Sequence, residues 1–266
     1  MNPEFLKKND IFYLKDLQPE GWPDIIPAFE FYVEMPFCNP VKINNNDKIA
    51  GIGSGNSFGS TAWLSHIITR PEFRKKGIAG AIVNHLHKSL MNSGCETISL
   101  IATDYGYPVY KKAGFIIQSE YVFFARKDQS WNFSPSKNII RYSENYMDDI
   151  LHLDKKISGE DRSVLFTAKL PDSYIYLTDG RASGFYLPGL GEGLIIADNS
   201  EAGINLLNLK CSGFKSCTLP CENTEAIVFL QDHGYIETKR VKRMISGPEF
   251  LWHPENIYSR IGGNFG

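Results

Sequence analysis

Long apolar runs are missing from this chain. No stretch approaches the roughly 20 consecutive apolar residues that cross a bilayer, and the opening MNPEFLKKNDIFYL carries charges where a leader peptide needs an apolar run. A soluble cytoplasmic protein is the expectation. Excess charge of either sign is absent too. With 28 Lys+Arg against 30 Asp+Glu the formal net charge is -2, so no bulk field favours nucleic acid or an anionic membrane, and any basic site must be local. Cysteine is sparse and scattered. Cys38, Cys95, Cys211, Cys217 and Cys221 suit free thiols in a reducing compartment, and Cys217 and Cys221 lack the neighbouring His or Cys pair of a zinc site. No metal is expected. Two common phosphate motifs are lacking as well: Gly51, Gly53, Gly55 and Gly59 miss the G-x-G-x-x-G spacing, and G-x-x-x-x-G-K-[ST] occurs nowhere.

What is present is enough for a real core. The chain has 266 residues, 42% hydrophobic and 13% aromatic, which suits two modest domains or one large one. It is organised around residues 62–80, AWLSHIITRPEFRKKGIAG. Ala62 to Thr69 reads as a buried strand stopped by Pro71, and Ile78, Ile82, Leu86 and Leu90 recur at helical spacing until Ser93-Gly94. Between strand and helix lie Arg70, Arg74, Lys75 and Lys76, followed by Gly77, Ala79 and Gly80. Unpaired N–H groups at a helix start, beside cations and almost no side-chain bulk, form a site for a phosphate or pyrophosphate.

The flanking segments fill in a β-α-β frame. Asp10 to Lys15 reads as a first strand and the aromatic AFEFYVEMPF as a helix. Trp22, Phe29, Phe31, Tyr32 and Phe37, with Asp24, Glu30 and Glu34, would suit a cationic amine. Val41 to Ile43 and Ile49 to Ile52 form a hairpin about Asn44 to Lys48, and Gly51 to Ser60 is expected to be a flexible lead into the central strand. Thr97 to Thr103 should pair in parallel with 62–69; Pro108 can open a short helix that Gly114 closes; one or two strands fill 116–126, before a polar linker over 127–137.

Two motifs carry a family resemblance. Arg74-x-x-Gly77-x-Ala79 after a strand resembles the Arg/Gln-x-x-Gly-x-Gly/Ala signature of the GNAT superfamily of N-acetyltransferases, and Tyr110, four residues before Gly114-Phe115, resembles the tyrosine that closes the site in that family. Thr103 stands where many members carry Asn, and Gly106 where many carry Ala. The resemblance implies an α/β GNAT fold, a mixed and centrally splayed sheet flanked by helices, binding acetyl-CoA. Arg74, Lys75, Lys76, Gly77, Ile78, Ala79 and Gly80 would wrap the pyrophosphate of coenzyme A. The backbone of Ile67, Ile68 and Thr69 would hold the pantetheine, with a further contact at Thr103. Tyr110 would be the general acid for the leaving thiolate. Within the strand, His66 is the candidate base, since its ordinary pKa of about 6.5 suits the task, with Ser65 as an alternative that positions water; the base is unassigned.

The second half repeats the first faintly. A hairpin over Tyr174 to Leu187 with an Asp179-Gly180 turn is followed by a strand at Gly193 to Ala197, a helix over Glu201 to Cys211, a strand at Lys215 to Leu219 and a helix over Asn223 to His233 closed by Gly234-Tyr235. Asp198-Asn199-Ser200-Glu201 falls where the basic loop should be and Leu230 where Tyr110 should be. Carboxylates there would repel a pyrophosphate and leucine cannot donate a proton. The expectation is a catalytic domain over 1–130 and a degenerate, smaller GNAT-like α/β domain over 131–266, like that of some bacterial two-domain acetyltransferases. Two functions follow: an N-acetyltransferase acting on a primary amine of a small molecule, amino acid or peptide, or a non-catalytic acyl-CoA-binding sensor. The sequence names neither the acceptor nor the oligomeric state.

Overall fold

The computed structural model describes the chain except residues 1, 47, 128–130, 132 and 133. The expected linker and the 130/131 boundary fall partly outside the described residues. Two compact units are present. The first comprises Met1–Gln118, Lys242–Glu249 and Gly263–Phe265, the second Ser119–Val241, Phe250–Gly262 and Gly266.

In the first unit β1 (Glu4–Phe5) leads to a 3-10 helix over Lys8–Leu17. This corrects the strand expected at Asp10 to Lys15. Ile11, Leu14 and Leu17 recur every three residues and are all buried, a spacing that stacks on one face of a three-residue turn, and the Asp10 carboxylate accepts from Lys7 N at 2.7 Å. Then follow α1 (Ile26–Glu34), β2 (Cys38–Asn45), β3 (Lys48–Phe58), β4 (Thr61–Thr69), α2 (Ile78–Asn92), β5 (Thr97–Ala102) and α3 (Tyr107–Lys112). The sheet order is β1-β2-β3-β4-β5, with the Lys242–Ser246 segment antiparallel on the outer edge of β5. β4 and β5 pair in parallel, as the crossover through α2 requires.

The segment expected to be a flexible lead, Gly51 to Ser60, is instead mostly strand: β3 runs unbroken to Phe58 and is buried along most of its length. Its glycines serve packing rather than freedom. A Cβ added at Gly51 would stand 2.5 Å from Ile78 Cγ2, one at Gly53 2.8 Å from Ile82 Cγ2, and one at Gly55 3.0 Å from Leu90 Cδ1. The bare backbone lets α2 settle onto the sheet, where Ile78, Ile82, Val83, Leu86 and Leu90 are buried with Leu64, Ile98 and Leu100. Each such side chain contributes about 1.5–3 kcal/mol by leaving water.

One strand, β6 (Ile116–Ala125), fills the segment expected to hold one or two, and the second unit begins within it at Ser119. It continues through β7 (Ile139–Arg141), α4 (Met147–Ser158), β8 (Tyr174–Thr178), β9 (Arg181–Leu187), β10 (Leu194–Ala197), α5 (Ser200–Gly213), β11 (Ser216–Pro220), α6 (Thr224–Asp232), the first part of β12 (Ile236–Ser246), whose Lys242–Ser246 belongs to the first unit, and β13 (Ile257–Ser259). The β8–β9 turn places Asp179 at φ 50° and Gly180 at φ 78°, the conformation of a tight hairpin. Element order parallels the first unit, but pairing does not. β10 takes β13 on its free edge, giving the order β13-β10-β9-β8-β7, while β11 pairs with β6.

Candidate active site

The site is built on β4. From Thr61 to Leu64 this strand pairs with β5, and the ladder stops at Leu64 opposite Leu100 although β4 runs on to Thr69. On the other side β3 stays paired with it as far as Gly51 opposite Thr69. Among the described residues, the β5-facing edge of Ser65 to Thr69 therefore has no strand partner. Its backbone groups are open to a ligand. The hydroxyl of Thr69, at the end of this edge, is buried without a hydrogen-bond partner among the described residues.

A bulge divides the strand where the pairing ends. Ser54 stands opposite Ser65 and Ile52 opposite Ile68, so His66 and Ile67 together face Gly53, with His66 at φ 49°. The extra residue resets the alternation of faces. Leu64 and Ile67 both point into the core under α2, and Ser65 and His66 both point to the opposite side. There His66 Nδ1 lies 2.8 Å from the Tyr32 hydroxyl, with the rings of Phe29 and Trp22 at 5.7 and 6.1 Å. Burial lowers the His66 pKa to about 4 and raises that of the Tyr32 phenol, so both are neutral near pH 7.

Beyond β4 the chain turns sharply. Lys75 at φ 60° and Gly77 at φ 82° are left-handed, and Gly77 caps α2 without a side chain to accept from its first N–H groups. A Cβ on Gly77 or on Gly80 would meet nothing within 4 Å. Arg74, Lys75, Lys76 and Gly77 are exposed, Ile78 is buried, and Ala79 and Gly80 are half-buried. Arg74 Nε donates to Thr69 O at 3.4 Å and the Lys76 ammonium stands 5.2 Å from the Phe73 ring, which holds these side chains close to the turn. Arg70 departs from the expected basic loop: it is buried, donates from Nε to Ile49 O at 2.9 Å and pairs with Asp16 at 3.3 Å. It braces β4 instead.

α3 carries Tyr110 into the core of the same unit. Its ring lies 6.2 Å from that of Phe115, and a Cβ on Gly106 would stand 2.7 Å from its Cε2, so the alanine common at that position in the family does not fit here. Burial raises the phenol pKa, which keeps the proton in place at all ordinary pH values. Thr103 is committed within the chain: its Oγ1 accepts from Gly106 N at 3.2 Å and its carbonyl from Tyr107 N at 2.8 Å, a cap on α3. The acids expected beside the aromatic residues are elsewhere. Asp24 caps α1 through Ile26 N at 2.9 Å, Glu34 pairs with Lys8 at 3.1 Å, and Glu30 is exposed, so the wall around His66 is aromatic and uncharged.

Sequence reasoning named Ser65 but missed its polar partners, Asn56 and Asn264. Asn56 Nδ2 donates to Ser65 Oγ at 2.8 Å, and Ser65 Oγ donates to the backbone carbonyl of Asn264 at 3.2 Å, 199 residues away in the chain. No local pattern marks such a partner. In the second unit the counterpart loop is occupied structurally: Asn199 Oδ1 accepts from Ala202 N at 2.9 Å, Glu201 accepts from the Tyr176 hydroxyl at 2.6 Å, and Leu230 is fully buried.

Comparison with known proteins bears on this arrangement. The acetyltransferase (GNAT) family model matches residues 8–115. No curated protein matches the sequence. Among solved structures, a candidate acetyltransferase from Pyrococcus horikoshii is similar over 99% of this chain and 95% of its own, at 18% identity and a TM-score of 0.83. A GCN5-related N-acetyltransferase from Sphaerobacter thermophilus is similar over 94% and 96%, at 11% identity and a TM-score of 0.65. One from Kribbella flavida is similar over 92% and 70%, at 12% identity and a TM-score of 0.58. The splayed strand, the basic turn and the helix behind it all lie within residues 8–115, the stretch that the acetyltransferase (GNAT) family model matches.

Proposed function

We propose that the first unit binds acetyl-CoA and transfers its acetyl group to a primary amine of a small molecule, amino acid or peptide. The observation that carries this reading is the unpartnered edge of β4 from Ser65 to Thr69, running into a left-handed turn and an uncapped helix start. Such an edge can take the amide groups of pantetheine as a strand would, and the N–H groups of the turn and of Ile78 to Gly80 can take the pyrophosphate, with Arg74, Lys75 and Lys76 balancing its charge. Thr69 supplies an unsatisfied hydroxyl to the same ligand.

The amine nitrogen forms its bond to the thioester carbonyl carbon, the carbon–sulfur bond breaks, and the thiolate must be protonated as it leaves. We assign Tyr110 as the acid on its spacing before Gly114-Phe115 and its place in the same unit as the β4 edge; burial keeps the phenol protonated at rest and opposes the transfer, so positioning has to supply the drive. Among its described residues the second unit has no equivalent basic turn, and we assign it no part in cofactor binding. Thiol release from acetyl-CoA across a panel of primary amines, with coenzyme A affinity measured in parallel by calorimetry, tests the proposal. Amine-dependent release is the expected result. Binding without release for any amine would favour the sensor reading, and failure to bind coenzyme A would exclude both.

A further inference from the structure

The hydrogen bonds around Tyr32 run in one direction. Ser54 Oγ donates to Asn56 Oδ1 at 2.7 Å; Asn56 Nδ2 donates to Ser65 Oγ at 2.8 Å and to Asn264 O at 3.3 Å; Ser65 Oγ donates to that same carbonyl at 3.2 Å. These groups spend their hydrogens on one another and on that carbonyl, and among the described residues the fully buried Tyr32 hydroxyl has one hydrogen-bond partner, His66 Nδ1 at 2.8 Å; a hydrogen on Nδ1 would leave the phenol hydrogen without an acceptor, so the phenol donates. The other faces of the imidazole meet the rings of Phe29 and Trp22, which accept no proton. A neutral imidazole that accepts at Nδ1 carries its hydrogen on Nε2.

We infer that Tyr32 is a positioning residue that holds His66 in the Nε2–H tautomer, so that His66 presents a hydrogen-bond donor, not a free lone pair, at the bulge of β4. The tautomer follows from the geometry of this cluster alone. Its catalytic meaning rests on the acetyl-transfer reading. A donor fixed at the point where β4 parts from β5 can take the oxygen of the thioester carbonyl as negative charge develops on it. On this assignment the proton lost by the attacking amine leaves by water, and the thiolate receives its proton from Tyr110. The backbone at φ 49° holds the ring on this face, where a regular strand would have turned it into the core.

The full-length protein with ¹⁵N-labelled histidine provides the test, the His66 signals being assigned by their loss in His66→Gln. The expected spectrum shows His66 protonated at Nε2, with an Nδ1 resonance that moves in Tyr32→Phe. Protonation at Nδ1 in the unsubstituted protein would overturn the inference, and an Nδ1 resonance indifferent to Tyr32→Phe would remove Tyr32 from it. Should Tyr32→Phe not fold, the unsubstituted spectrum still decides the tautomer. This readout needs no turnover, so it stands or falls separately from the acetyl-transfer reading. Kinetics then address the role: His66→Ala is expected to lower kcat by about 10²-fold, and His66→Gln, which keeps a donor but cannot act as a base, to recover most of that loss. Equal losses in both would make His66 the base and overturn the donor role.

Discussion

Gly51 on β3 and Ile78 at the start of α2 meet so closely that a Cβ on the glycine would lie 2.5 Å from the isoleucine Cγ2. That methyl is on a β-branched carbon and cannot swing aside. Gly51→Val should lift the first turn of α2 from the sheet, destabilise the fold by about 1–3 kcal/mol and weaken coenzyme A binding. Urea midpoints with calorimetric titration check this. A variant as stable and as tight as the parent would mean that the helix start is not held by this contact.

Gly77 presents the opposite case, open space with a backbone that resists side chains. At φ 82°, Gly77→Ala should cost about 1 kcal/mol in stability and lower coenzyme A affinity by re-aiming the turn. Glu201→Ala, whose carboxylate accepts from Tyr176 in the second unit, should leave that affinity unchanged. Equal losses of affinity in the two variants would refute the placement of the cofactor.

Tyr110→Phe removes a proton and keeps the ring that packs on Phe115. Coenzyme A affinity is expected to stay near that of the parent while turnover falls by about 10²- to 10⁴-fold under conditions limited by chemistry. Unchanged single-turnover rates would place the acid elsewhere.

His66 makes stability depend on pH. Its folded pKa is lowered by burial to about 4 from 6.5, so between those values the unfolded chain binds a proton that the folded chain refuses. The associated stability is complete above about pH 6.5 and is lost as the pH falls toward 4, with a slope of at most about 1.4 kcal/mol per pH unit. His87, also lowered by burial, contributes with the same sign and is common to both proteins. Urea denaturation of the parent and of His66→Gln across this range should therefore show a shallower slope for the variant; parallel slopes would mean that His66 is not neutral in the fold.

In the second unit, Asp154 on α4 and Arg162 form a doubly hydrogen-bonded pair, Nη2 to Oδ1 at 2.5 Å and Nε to Oδ2 at 3.2 Å, with both side chains 2% exposed. Asp154→Ala would remove the doubly hydrogen-bonded carboxylate from a buried guanidinium and should cost about 3–5 kcal/mol, whereas replacing both residues by apolar ones of similar volume should cost less. A double-mutant cycle by thermal denaturation measures the difference.

The sequence by itself determined most of the elements and the basic turn. Apolar spacing at Ile78, Ile82, Leu86 and Leu90, the glycine at 77 and the cations at 74 to 76 are local instructions, and local geometry obeys them. The hairpins and helices of the second half were legible for the same reason, and so was the loss of a basic turn there. Tertiary structure decided what depends on distant partners. Asp10 to Lys15 became a 3-10 turn because its apolar residues recur every three positions, and the glycines of β3 proved to be packing positions because α2 lies on them. Arg70 left the basic loop for Ile49 and Asp16, and the acids near α1 went to caps and surface pairs. Above all, the side of the sheet that receives His66 was set by one extra residue in β4; its hydroxyl partner comes from α1, and Ser65 beside it bonds a carbonyl almost 200 residues away in the chain. Alternation along a strand has period two, so a single bulge inverts every inference drawn from it.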